Sequence, residues 1–394
     1  MSSAPLTGIT VVALEHAIAA PLCTRQLADL GARIIKIERR DSGDFARHYD
    51  SRVKGQSSHF IWTNRSKQSM TLDLKHKVAS SIVDKLLAEA DVLVQNLAPG
   101  AAEKMGLSYA ALHSQFPRLI VCNISGYGNA GPYQSKKAYD LLVQAEAGFL
   151  SVTGSSEAMA KSGISIADIA AGTQAHSAIL AALIQRSKTG TGSDINISML
   201  EAMVEWMGFP LYYAYDGAEP PARSATDHAS IYPYGAFSTG DNEIIMLGLQ
   251  NEREWEVFCR DVIEQETLIA DARFTANALR SENRQQLRDI IQAVFATMAA
   301  SQLAAKLDAA QIAYASVNDM HAVWNHPQLQ ALKRIVEIET PQGAVLNFKP
   351  PGNNSSFEPI LGPVPDHGEH TRQILSELGF DTDHIDEFYQ QGVV

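Results

Sequence analysis

The stretch GITVVALEHAIAAPLCTRQLADLGARIIKIER (8–39) decides the fold. GITVVALE (8–15) is a near-continuous apolar run, the composition of a strand buried on both faces. APLCTRQLADLGA (20–32) predicts a helix that ends at Gly31, and RIIKIER (33–39) predicts a second strand. Outward from there, VASSIVDKLLAEA (78–90) reads as a helix, while DVLVQNL (91–97) and PRLIVCNIS (117–125) read as strands. Strand, helix and strand in this rhythm mean right-handed βαβ units, hence an α/β protein with a mostly parallel, doubly wound sheet.

Further along, a helix is expected over 173–187. KTGTGSDINISMLEAMVEWMGF (188–209) then reads as a glycine-rich turn, a short strand and a methionine-rich helix. Met199, Met203 and Met207 recur every four residues, the spacing of a stripe packed into a core. YDGAEPPARSATDHAS (215–230) is polar and rich in proline and alanine, which suits a linker. Beyond it, the strands YGAFST and EIIMLGL lead into helices over 252–308, so a smaller α+β unit is expected. The division is therefore 1–215 for a large domain, 216–325 for a small one, and 326–394 for a C-terminal segment.

One more stretch carries chemistry. In KSGISIADIAAGTQAHSAIL (161–180), Ile164 and Ile166 alternate with small residues as in a strand, and Ala170, Ala171, Ile179 and Leu180 belong to a helix. Asp168 stands alone among apolar residues where strand should hand over to helix. A helix N-cap explains such an aspartate as well as a catalytic role does.

Bulk composition narrows the classes. The 394 residues are 45% hydrophobic and 19% charged, with a net charge of −12, which opposes a nucleic-acid binder. No run approaches the roughly 20 apolar residues of a membrane span. MSSAPLTGIT lacks the basic and apolar regions of a secretory signal. The three cysteines, Cys23, Cys122 and Cys259, are scattered and form no CxxC pair, as in a reducing compartment. A cytoplasmic enzyme is expected, with no nucleic-acid or membrane partner.

Familiar motifs fail in context. GYGNAG (126–131) matches GxGxxG after a strand, but Pro132, Tyr133 and a QSKK turn follow where a helix should receive a pyrophosphate. HGEH (367–370) has two histidines three apart and no third ligand at a recognisable spacing, so no metal is expected. Neither a GxSxG elbow nor a Walker loop is present. Lys36, Arg39, Arg40, Arg65, Lys67, Lys75, Lys77, Lys104, Lys136 and Lys137 fall at strand ends or in loops of the βα half. Each alone reads as a surface charge; together they suggest a pocket for an anionic ligand.

The blocks already quoted, with NRSKQSMTLDLK, DVLVQNLAPGAAEKMGL, ISGYGNAGPY, AYDLLVQAEAG, ALIQRSKTGTG, HPQL (326–329) and GEHT (368–371), resemble the class III CoA-transferases, the formyl-CoA and carnitine CoA-transferase family. The resemblance spans nearly the whole chain. It implies a Rossmann-like large domain formed by both terminal segments, a small domain, and an interlocked homodimer. It places the nucleophile at Asp168 and an active-site tyrosine at Tyr139. CoA contacts carry over to Arg39, Leu72, Lys75, Asn96, Lys104 and Lys137. Acyl-CoA is then substrate, and no resident cofactor or metal is implied.

In such a reaction Asp168 attacks the donor thioester, and the released CoA thiolate converts the mixed anhydride to an aspartyl-CoA thioester. The acceptor acid attacks that thioester, and the cycle reverses. α-Methylacyl-CoA racemases resemble the chain too, but carry a His–Asp pair where Tyr139–Asp140 stands here, and tyrosine is a weak base near neutral pH. The glycine-rich loop of formyl-CoA transferases is missing, since HASIYPYGAF runs straight into a strand. LEHAIAAP, SSHFIWTNRSKQSMTLDLKH, EWMGFPLYY and LGLQNEREW resemble the subgroup acting on C4–C5 dicarboxylates. This implies a succinyl-CoA:itaconate-type transferase, with an intramolecular mesaconyl-CoA C1–C4 transferase as the alternative. The distal carboxylate then needs a cation, and Arg47, Arg65, Arg223 and His228 are the candidates. A non-catalytic CoA-binding scaffold is the competing class, opposed by the joint presence of Asp168, Arg39 and Lys137.

Overall fold

In the computed structural model, which describes residues 4–394, six strands form one wholly parallel sheet. They are β1 (Thr10–Leu14), β2 (Arg33–Glu38), β3 (Lys67–Thr71), β4 (Val92–Gln95), β5 (Ile120–Ser125) and β6 (Asp194–Ser198), in the order β3-β2-β1-β4-β5-β6. This is the doubly wound Rossmann order, in which the chain starts at the centre and reverses direction once. Alternation along each strand splits the core in two. Val11, Ala13, Val92, Val94, Ile120 and Cys122 face one layer, and Val12, Leu14, Leu93 and Val121 face the other.

The first layer is built by helices α1 (Ala19–Asp29), α3 (Asp140–Glu146), α4 (Ile166–Thr189) and α5 (Met199–Trp206). The second contains α2 (Ala79–Glu89) and, from the far end of the chain, α8 (Thr371–Glu377) and α9 (Thr382–Gln391). Ile374, Leu375, Ile385 and Phe388 are buried there, so the C-terminal segment completes the sheet's second cover. Each such side chain contributes about 1.5–3 kcal/mol by leaving water. Met199, Met203 and Met207 are buried, as their spacing predicts.

The chain divides into two compact units. The first comprises 1–149, 162–209 and 328–394; it contains the sheet and a short antiparallel hairpin, Ile335–Ile338 with Val345–Phe348. The second comprises 150–161 and 210–327. Within it β7 (Tyr234–Ser238), β8 (Ile244–Gly248) and β9 (Tyr314–Ser316) form an antiparallel sheet, covered by helices that include α6 (Arg284–Phe295) and α7 (Ala300–Ala309). Its core is aromatic and aliphatic: Trp255, Phe258, Phe274, Phe295, Leu303 and Leu307.

Four local expectations change. KSGISI is no strand: helix α4 already begins at Ile166, and Ile164 is 60% exposed. Strand character needs a neighbour, and this segment instead gives its Ser162 N–H to the Gln144 side chain (3.0 Å). Lys67, expected at a strand end or in a loop, opens the edge strand Lys67–Thr71, which is polar because Lys67 and Ser69 feed a buried ionic cluster. Residues 150–161, expected in the large domain, cluster with the second unit, where the Gly154 carbonyl accepts from Ala225 N–H. The supposed linker 215–230 lies inside that unit. The first three residues of MSSAPLTGIT lie outside the described residues.

α4 has the length and apolarity of a membrane span, but it packs along α1, α5, β5 and β6.

Candidate active site

The parallel sheet brings separate parts of the sequence to one edge. Arg39 follows β2, Lys75 follows β3, Asn96 and Lys104 follow β4, and Lys137 and Tyr139 follow β5. All therefore lie beyond the carboxyl ends of strands, the binding edge of an open α/β sheet. Arg39, Lys75, Lys104, Lys137 and Tyr139 are exposed, Tyr139 by 71%.

Asp168 sits in the first turn of α4. Three features define its surroundings. Gly172, one turn on, lets α4 approach α1 so closely that a Cβ there would lie 2.5 Å from the Ala19 carbonyl oxygen. Ala19 begins α1, and its backbone amide favours the ionised Asp168 carboxylate. From α3, the Asp140 Oδ1 accepts from the backbone N–H of Ala167 (2.8 Å) and of Asp168 (3.4 Å). Burial first, and the neighbouring Asp140 charge second, push the Asp168 carboxyl up to about 7, against the opposing pull of the Ala19 amide. Among the described residues no cation pairs with it. Tyr49 lies within reach of its field: burial, Asp44, Asp168 and Tyr139 together raise the phenol to about 12.

The loop that delivers Ala19 is held from both sides. Asn96 receives His16 N–H (3.0 Å) and returns a bond to the His16 carbonyl (2.9 Å). Asp44 accepts from Ala17 N–H (3.1 Å), at a residue with φ +63°, where a non-glycine backbone is strained. Asp44 itself belongs to a buried ionic cluster. Lys36 meets Asp44 (2.8 Å) and Glu15 (3.4 Å), Lys67 meets Glu15 (2.6 Å), and Glu38 accepts from Arg47 and Ser69. The Arg47 fork, Lys36 and Ser69 outweigh burial and hold Glu38 down to about 2. Lys67, buried beside Lys36, falls to about 8.

These contacts correct part of the anion-pocket expectation. Lys36 and Lys67 are fully buried structural cations. Arg65, 1% exposed, clasps Asp29 through two bonds of 2.8 Å and also donates to Asn347 and the Phe348 carbonyl. It is withdrawn from substrate binding. Arg47 makes a two-pronged pair with Glu38 and lies 3.8 Å over the Phe60 ring. Lys136 joins Glu146 and lies over the rings of Tyr127 and Tyr133. Leu72 is buried in the core. In the second unit, Arg223 donates to the Ser155 carbonyl (2.8 Å), and His228 Nδ1 accepts from the amides of Ser230 and Ile231. That leaves the neutral His228 ring its proton on Nε2.

The discounted motifs have structural employment. His367 Nε2 meets the Arg39 carbonyl (2.9 Å), and His370 Nδ1 accepts from Ser69 N–H (3.3 Å). After β5 the GYGNAG segment makes turns, and a Cβ on Gly126 would collide with Ala138 at 2.0 Å. Sequence reasoning missed Gly172, Asp44 and the capping role of Asp140. Only Asp140 left a trace, as the residue after Tyr139.

The family model for CoA-transferase family III matches residues 6–371. The chain is 32% identical to a succinyl-CoA:glutarate CoA-transferase of Mus musculus, across 100% of this chain and 91% of that protein. It is 30% identical to a succinate–glutarate CoA-transferase of Agrobacterium fabrum, across 95% and 96% of the two chains. A solved CAIB/BAIF family protein from Brucella suis superposes with a TM-score of 0.85 at 30% identity, covering 96% of this chain and all of that one. The chain belongs to CoA-transferase family III.

Proposed function

We propose that the protein moves CoA from succinyl-CoA to a C4–C5 dicarboxylate through an aspartyl-CoA thioester on Asp168. The observation that carries this reading is the Asp168 environment: a carboxylate that no cation among the described residues pairs with, in the first turn of α4 and beside Asp140. Lacking an ion pair, the carboxylate keeps its nucleophilicity, and both helix N-termini favour its ionised form.

Asp168 attacks the donor's thioester carbonyl, forming a mixed anhydride and releasing CoA thiolate. The thiolate attacks the aspartyl carbonyl, giving the aspartyl-CoA thioester and free donor acid. The acceptor carboxylate attacks that thioester and expels the thiolate again. The thiolate then takes the acceptor's acyl group, and Asp168 is restored. The Ala19 amide, which favours the ionised carboxylate, is the candidate donor to the oxyanion formed at the same carbon. Arg39, Lys75, Asn96, Lys104 and Lys137 are the CoA-binding candidates, with Tyr139 beside the reacting centre.

Itaconate is the acceptor suggested by the sequence blocks, and the two named relatives add glutarate. Within the sheet unit, Arg65 is withdrawn and Arg47 is paired, so neither offers a free fork to the distal carboxylate. We also propose a homodimer in the cytoplasm. Ile184 on α4, Val204 and Trp206 on α5 and Leu141 and Leu142 on α3 are exposed apolar residues that a second copy would cover. All three cysteines are free and buried.

The test is a mass-resolved assay with succinyl-CoA and one acid at a time: glutarate, itaconate, mesaconate, citramalate or oxalate. Wild type should form one new dicarboxyl-CoA, and Asp168→Ala should lose at least about 10³-fold in rate. Transfer that survives in the variant removes Asp168 as nucleophile, and transfer only to oxalate removes the dicarboxylate branch.

A further inference from the structure

Helix α4 carries the nucleophile yet lacks its own cap. Ser165 occupies the N-cap position, and its side chain makes no capping hydrogen bond. The orphan amides of the first turn are instead met from another helix. Asp140 Oδ1 takes the N–H groups of Ala167 and Asp168. Its Oδ2 accepts from Gln144 Nε2 (2.6 Å), one turn along α3. Fully buried Gln144 in turn accepts the Ser162 N–H at its Oε1. Two side chains four residues apart thus hold the amides of Ser162, Ala167 and Asp168 itself.

We infer that Asp140, braced by Gln144, is a positioning residue for the nucleophile: it caps α4 in place of Ser165 and fixes the backbone that carries the Asp168 carboxylate. The inference rests on the reading of Asp168 as nucleophile. Capping from α3 has a second consequence, because a carboxylate does the work. An anion at a helix N-terminus is favourable, but here it stands beside another carboxylate. Asp140 thereby fixes the place of Asp168 and opposes its ionisation together.

Other ionisable groups around α4 are distinguishable. On α1, Arg25 pairs with Asp29. On β6, Asp194 accepts from Asn123 and Asn196. On α3, Glu146 pairs with Lys136. α5 adds Glu201 and Glu205, β5 carries no charged residue, and Tyr49 senses Asp168 from the turn 45–49. Of these groups, Asp140 alone accepts the amide of Asp168 itself.

The experiment compares wild type, Asp140→Asn and Asp140→Ala by steady-state kinetics from pH 5 to 9, with thermal unfolding as a folding check. Asp140→Asn keeps an acceptor oxygen and removes the charge. It should retain turnover within about 10-fold and move the acid limb of the rate profile to lower pH. Asp140→Ala removes both and should lower kcat about 10²-fold, as a slight misplacement of a reacting group does, with KM for acyl-CoA within about 3-fold. A wild-type acid limb in Asp140→Asn overturns the proposal, as does full kcat in a folded Asp140→Ala. If Asp140→Ala does not fold, the Asp140→Asn profile alone decides. Hydroxylamine trapping of the acylated wild type separates the two readings. Without an Asp168 hydroxamate the nucleophile assignment fails, whereas a hydroxamate with unaltered variants fails Asp140 only.

Discussion

Two regions of the sheet unit bury carboxylates, and they treat them in opposite ways. Beneath the β1–α1 loop, Glu15, Glu38 and Asp44 are surrounded by Lys36, Lys67 and Arg47, and all three carboxyls are held below their ordinary range. At the start of α4, Asp168 is placed near a second carboxylate and one amide, and its carboxyl rises to about 7. Burial raises every one of these groups; the partners decide the sign. Pairing spends a carboxylate's charge on structure, and the unpaired one keeps it for chemistry. The two regions are joined mechanically, since Asp44 of the first holds Ala17, two residues before α1 begins at Ala19, whose amide favours the ionised Asp168.

The largest effect that would sharpen this contrast is a broken pair. Lys36→Met leaves Asp44 buried without its cation and Glu15 with Lys67 alone. A loss of about 3–5 kcal/mol is expected in urea unfolding. A loss below about 1 kcal/mol would show that the cluster is not a structural counterpart to Asp168.

The next change acts at the junction. Gly172→Ala places a Cβ against the Ala19 carbonyl, so α1 and α4 must separate. Overpacking of this kind costs about 1–3 kcal/mol, and the shifted Ala19 amide should lower kcat more than it raises KM. Unchanged stability and turnover would mean that the close approach does not position the site.

The smallest effect tests Asp168 directly. A carboxyl near 7 in the folded chain, against about 4 when unfolded, binds a proton that the unfolded chain has released between those values. Stability contributed at this position therefore falls as pH rises from about 4 to 7. Asp168→Asn avoids that loss, and should be more stable than wild type by about 1–3 kcal/mol at pH 8 and level with it near pH 4. A difference independent of pH would place Asp168 among the paired carboxylates.

Strand and helix order over 8–39 and 78–125 was legible because buried parallel strands are apolar on both faces, a signal needing no knowledge of partners. β3 was not, because an edge strand can carry Lys67 and Ser69 inward once Glu15 and Glu38 are there to meet them. The isolation of Asp168 among apolar residues marked it as unusual, and the resemblance of neighbouring blocks identified the family. Both depend on local order alone.

Cation roles depended on distance. Arg65 and Lys67, two residues apart and both counted toward an anion pocket, end in separate buried pairs with Asp29 and Glu15, 36 and 52 residues away. No spacing rule distinguishes a surface arginine from one whose partner is delivered by another helix. Sequence by itself determined the parallel sheet, because apolar periodicity and composition are local properties, and the family resemblance supplied Asp168 as the candidate nucleophile. Tertiary structure alone decided which charges neutralise each other, that α4 is capped from α3, and that Gly172 lets α4 meet α1 at Ala19. Those outcomes depend on distances of a few ångströms between elements far apart in the chain.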